Sequence, residues 1–81
     1  MVVNEHQQQL ALNATGDLTS QTRELERRTV IAVARAIHWG ATWRQIADAL
    51  GVTPQAAHKR YRRLHYDPAT RTAWHEPPLP L

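Results

Sequence analysis

Lys59, Arg60, Arg62 and Arg63 crowd into five positions, and the segment 53 to 66 that holds them contains no Asp or Glu. The whole chain has a formal charge of +3 at pH 7, so the rest of it is slightly acidic and its pI near 10.2 reflects this one segment. Cations gathered in this way attract a polyanion, because neutralised phosphates release their condensed counterions. A solvated helix face would carry the same charges, so the stripe acquires meaning only from the elements that present it.

The other residues able to do chemistry are scattered. Five histidines are present, but His38, His58 and His65 fall on separate turns without the i, i+4 pairing that binds a metal on a helix. There is no cysteine to complete a thiolate site, no Gly-rich phosphate loop, and no Ser in a nucleophile context. The expectation is a protein that is not an enzyme and uses no metal or cofactor. His58 lies inside the basic segment, where protonation between about pH 5 and 8 would add to its attraction for phosphate.

Eighty-one residues suffice for one small domain. Without disulfides a core of this size gains from self-association, and a homodimer is expected. No apolar run approaches the roughly 20 residues of a membrane span, and Met1-Val2-Val3-Asn4-Glu5-His6 lacks the pattern of a signal peptide. A cytoplasmic, nucleoid-associated protein is therefore expected. The absence of Phe, the three glycines and a 42% hydrophobic content point to an all-α fold, a small three-helix domain with flexible or partner-docking termini.

From Thr19 or Ser20 to Trp39 no Gly or Pro interrupts the chain, and Val30, Val33, Ala34 and Ile37 recur at i, i+3, i+4 and i+7 as one apolar stripe. Gly40 supplies the left-handed stop. Thr42-Trp43-Arg44-Gln45 has the form of a capping box and opens a second helix that ends at Leu50, before Gly51. Thr53 and Pro54 then provide an N-cap and a first-turn proline. The third helix is expected to run to about Tyr66, burying Ala57, Tyr61 and Leu64. Residues 1 to 16 read as an N-terminal arm, either a short helix or disordered, because Asn13 and Gly16 look like breakers. Residues 67 to 81 begin Asp67-Pro68 and read as an extended, Pro-rich tail.

A short capped helix, a Gly turn and a second capped helix are the parts of a helix-turn-helix. Ile46, Ala47, Leu50, Gly51, Val52 and Ala57 supply the small residue at the crossing, the turn and the aliphatics that seal the junction. With these residues in place, the stretch from Arg44 to Arg63 resembles the helix-turn-helix of bacterial and phage transcription regulators, in particular sigma factor region 4 and LuxR-type modules. Those proteins usually carry a larger aliphatic at the position of Ala57. The resemblance spans about residues 41 to 64 and implies a third helix that enters the major groove of double-stranded DNA.

At 100° per residue, a third helix with Ala57, Tyr61 and Leu64 turned inward directs Gln55, Lys59, Arg62 and Tyr66 outward, with His58 and Arg63 at the edges. Lys and Arg pair with guanine O6 and N7, and Gln with adenine, which makes Gln55, Lys59 and Arg62 candidates for base contact. The resemblance adds Thr53 and His58 to that set. Arg63 is a candidate for phosphate, as are Thr42, Arg44 and Gln45 at the positive end of the second helix. Arg60 is expected to form an ion pair with Asp48 or with a glutamate of the first helix.

The expected function is sequence-specific DNA binding by a small, dimeric transcriptional regulator. The alternative is a protein-interaction module or accessory factor, contacting RNA polymerase or serving recombination or packaging in a mobile element. Trp39 and Trp43 are expected in the core. Trp74 and the pair Leu10 and Leu12 are candidates for a dimer contact.

Overall fold

The computed structural model describes residues 4 to 80. Three helices, α1 (Glu5–His38), α2 (Trp43–Leu50) and α3 (Pro54–Tyr61), precede two strands, β1 (Leu64–Asp67) and β2 (Thr72–His75). Among these residues no helix is long and apolar enough to cross a membrane.

α1 begins well before Thr19. Asn4 caps it by accepting from the Gln7 N–H at 3.0 Å, and the helix passes Asn13 and Gly16 without interruption for 34 residues. Gly in an exposed helix costs only about 1 kcal/mol relative to Ala, and Gln, Leu and Ala on either side are good formers. The boundary expected at residue 16 therefore lies inside one element.

Two glycines end the first two helices. Gly40 and Gly51 adopt φ of +87° and +72°, the left-handed region where a Cβ is strained. Each is followed by the paired bonds of a Schellman motif: Ala41 N–H to Ala36 carbonyl at 2.9 Å, and Val52 N–H to Ala47 carbonyl at 3.1 Å. The first motif turns the chain at the junction of α1 and α2, the second at that of α2 and α3.

The core joins the C-terminal half of α1 to everything after it. Val33, Ala34, Ile46, Ala47, Ala57, Tyr61 and Leu64 are buried, with Val30, Ile37, Trp43, Leu50, Tyr66 and Ala73 packed around them. Ala47 and Ala57, both at 1% exposure or less, let α2 and α3 approach closely.

The all-α expectation is overturned by an antiparallel hairpin. α3 stops at Tyr61, and Leu64, His65, Tyr66 and Asp67 pair with His75, Trp74, Ala73 and Thr72. Leu64, Tyr66 and Ala73 face the core while His65 and Trp74 face out, the alternation of a half-buried strand pair. The Asp67 carboxylate accepts from the Ala69 N–H at 2.9 Å, so Asp67-Pro68 starts a turn, not a tail. The Glu76 N–H donates to the Arg63 carbonyl at 2.7 Å beyond the last paired residues. Leu64 is thus buried as expected, but from a strand. Tyr66 packs inward, although a longer α3 would have turned it to solvent. Trp39 is 74% exposed, because the chain leaves α1 at that residue; the expectation that it fills the core fails, whereas Trp43 does pack against it.

Candidate nucleic-acid interface

Two caps fix α2 and α3 before any side chain can act. The Thr42 hydroxyl accepts from the Gln45 N–H at 3.1 Å and the Gln45 amide oxygen accepts from the Thr42 N–H at 2.9 Å, which completes the capping box. The N–H groups of Trp43 and Arg44 lie ahead of the first intrahelical bond and are available to an anion. At α3 the Thr53 hydroxyl accepts from Ala56 N–H at 3.1 Å, and Pro54 occupies the first turn, where its missing donor does no harm.

Ala57 and Tyr61 then set the rotation of α3. Both are buried against the core, and the opposite surface exposes Gln55, His58, Lys59 and, at the C-cap, Arg62. Thr53 is also exposed at the start of this surface. Arg63 is half-buried just beyond it. Thr42, Arg44 and Gln45 are exposed at the N-terminal end of α2. His58 meets the edge of Trp43, with ring centroids 5.1 Å apart at 88°, and this contact ties the exposed side of α3 to the first turn of α2. The residues expected at bases and the α2 residues expected at phosphate are joined through it.

Lys59, Arg60, Arg62 and Arg63 have no carboxylate partner among the described residues, where the ion pairs are Glu24 with Arg27 and Arg28, and Glu76 is engaged by the His65 ring. The ion pair expected for Arg60 is not formed. Its guanidinium instead lies over the Tyr61 ring, 5.3 Å from the centroid. Glu76 is the acid nearest in kind: it lines a shallow cavity with Lys59, Arg60, Arg62 and Arg63, yet its carboxylate accepts from or pairs with His65 Nε2 at 3.1 Å. The segment Pro77–Pro80 is exposed.

The hairpin adds groups that the reading of a longer α3 concealed. His65 and Trp74 stack across the two strands with centroids 5.5 Å apart and 28° between planes. Arg71, at φ +55°, adds another exposed cation near the tip. The sequence signal for these is the turn start Asp67-Pro68, since the alternation Leu64-His65-Tyr66 before it is too short to outweigh helical spacing.

The surface so assembled is rich in hydrogen-bond donors, carries an amide that both donates and accepts, and holds positive charge that no acid pairs with among the described residues. Compared with known protein families, curated proteins and solved structures, the chain finds no match.

Proposed function

We propose that this protein binds double-stranded DNA in a sequence-dependent manner, laying α3 into the major groove as a small transcriptional regulator. The observation that carries the reading is the division of α3. Ala57 and Tyr61 are buried while Gln55, Lys59 and Arg62 are exposed with no acid paired to them among the described residues. Gln55 and Lys59 sit four residues apart, so they share one side and address neighbouring base pairs. Arg62 follows at the far end. Thr53 and His58 flank them, and Thr42, Arg44, Gln45 and Arg63 hold the bordering phosphates.

A surface meant for a protein partner would be expected to place aromatic or aliphatic anchors at its centre. The outward side of α3 has none, and this favours nucleic acid over an acidic protein.

Binding to random duplex DNA, followed by fluorescence anisotropy between about 50 and 200 mM salt, tests the reading. About four neutralised phosphates per protomer give a slope of roughly −3.6 in log affinity against log salt. An affinity that does not change with salt, or no binding at the low end, would overturn it.

A further inference from the structure

α1 has two faces, and the fold uses one. Taking about 100° per residue, Val30, Val33, Ala34 and Ile37 form the core stripe, whereas Ala11, Ala14, Leu18, Thr22, Leu25, Thr29 and Ala32 all fall within about 40° of the Leu18 direction, roughly 110° away. Leu18 and Leu25 are 62% and 59% exposed. The Thr22 and Thr29 hydroxyls donate back to the Leu18 and Leu25 carbonyls at 3.0 and 2.8 Å, so this second stripe offers methyl groups without an unsatisfied hydroxyl. No described residue from Asn4 to Thr29 is buried. The stretch from Glu5 to Gln21, about 25 Å of helix, therefore lies beyond Thr22, the first residue of α1 to share a groove with α2 and α3, in a molecule 56 Å long. In proteins most helical stability comes from packing an apolar face, and this stretch has no such packing within the protomer.

Beside the packed end, the same stripe walls an apolar groove. Leu25 and Thr29 line one side; Leu50, Val52, Ala56 and Tyr61 line the other. We infer that the groove receives the projecting half of α1 from a second copy of this chain, the two α1 helices running antiparallel about a two-fold axis between Gln21 and Thr22.

The register is set by the sequence. With the axis there, Leu18 meets the partner copy's counterpart of Leu25, Ala14 that of Thr29, and Ala11 that of Ala32, so each pair joins small or aliphatic residues. Charge agrees with it. The projecting stretch 5 to 17 contains Glu5 and Asp17 but no Lys or Arg, whereas the stretch 26 to 38 that it would cover contains Arg27, Arg28 and Arg35 against Glu26. Asp17 lands beside the opposing Arg28. A parallel pair would set acidic against acidic and basic against basic, and would leave both grooves empty. The association needs no DNA, so it stands or falls separately from the proposed function.

The chain has no cysteine, so a single introduced one reports the geometry. Under mild oxidation Thr22→Cys, near the axis, should give a disulfide-linked dimer. Ala11→Cys alone should not, because its two copies would lie about 32 Å apart along the axis. Ala11→Cys mixed with Ala32→Cys should cross-link as a heterodimer. Sedimentation equilibrium of the unmodified chain should show a dimer. Leu18→Asp, at an exposed site that leaves the protomer fold intact, should weaken the dimer by at least about tenfold, the ratio that one buried leucine contributes. Asp17→Arg should weaken it and Asp17→Arg with Arg28→Asp should restore it. A monomer at equilibrium, cross-linking of Ala11→Cys to itself as readily as Thr22→Cys, or a Leu18→Asp dimer of unchanged strength would each overturn the inference.

Discussion

Replacing Tyr61 with Ala is expected to unfold the domain that presents α3. Tyr61 is 4% exposed and lies in the cluster where α1, α2, α3 and β1 meet. An aromatic side chain buries about 150 to 250 Å², and at about 25 cal/mol per Å² its removal forfeits roughly 4 to 6 kcal/mol. Direct truncation of large core aromatics costs about 3 to 5 kcal/mol. A chain of this length has a total stability of only about 4 to 12 kcal/mol. The conservative change Tyr61→Phe should cost less than about 1 kcal/mol, because the ring that fills the core and lies under Arg60 remains. Urea unfolding followed by circular dichroism measures both. A Tyr61→Ala midpoint within about 1 kcal/mol of the unmodified chain would refute the placement of Tyr61 at the centre of the core, and with it the outward rotation of Gln55 and Lys59.

Three further expectations concern the frame around that core. Gly51→Ala should lower stability by about 1 to 2 kcal/mol, read as a fall of several degrees in the melting temperature, since Gly51 holds φ at +72°. Gly16→Ala should do the opposite, raising helical content and stability by up to about 1 kcal/mol, because an added Cβ there meets nothing within 4 Å. Glu24 is held down at about 2 by hydrogen bonds from Arg27 first and Arg28 second. Its folded-state value is depressed, so its contribution is fully present above the ordinary value of 4.5 and is lost as pH falls through about 2. The exposed site makes this a small effect. Thermal melts of the unmodified chain and Glu24→Gln should differ at neutral pH and converge between pH 4.5 and about 2. A gap that widens on acidification would contradict the sign.

What the sequence made legible follows from how local each signal is. The capping box at Thr42 and Gln45, the glycine at 51 and the Thr53-Pro54 start are complete within four residues, so α2, its turn and the start of α3 could be read directly. Burial of Val33, Ala34, Ala57 and Tyr61 follows from helical spacing and that of Ile46 and Ala47 from the helix-turn-helix pattern, and the exposure of Gln55, Lys59 and Arg62 comes with it. The hairpin was hidden because Leu64 is buried whether α3 continues or a strand begins; its spacing from Tyr61 suits the helix equally. Four-residue strands are too short for period-two alternation to compete. The arm is obscured for the reverse reason: Gly16 reads as a breaker, yet the good helix formers around it carry the helix through. Size alone points Trp39 to the core, but as the C-cap of α1 it stands where the chain departs. The contact between Arg60 and Tyr61 replaced an expected ion pair because the aromatic neighbour is the adjacent residue, whereas a carboxylate would have had to be brought from another helix.

The claim on which everything functional depends is that the outward side of α3 reads base pairs, and Lys59→Ala tests it most directly. Affinity is measured by anisotropy for a duplex recovered from a random pool and for its scrambled counterpart, with circular dichroism to confirm an unchanged fold. Loss of a bidentate base contact should cost about 1 to 3 kcal/mol on the recovered duplex, roughly a five- to 150-fold weakening, and much less on the scrambled one. Equal weakening on both duplexes would mark Lys59 as a phosphate ligand only, and unchanged affinity on both would contradict the placement of α3 in the groove.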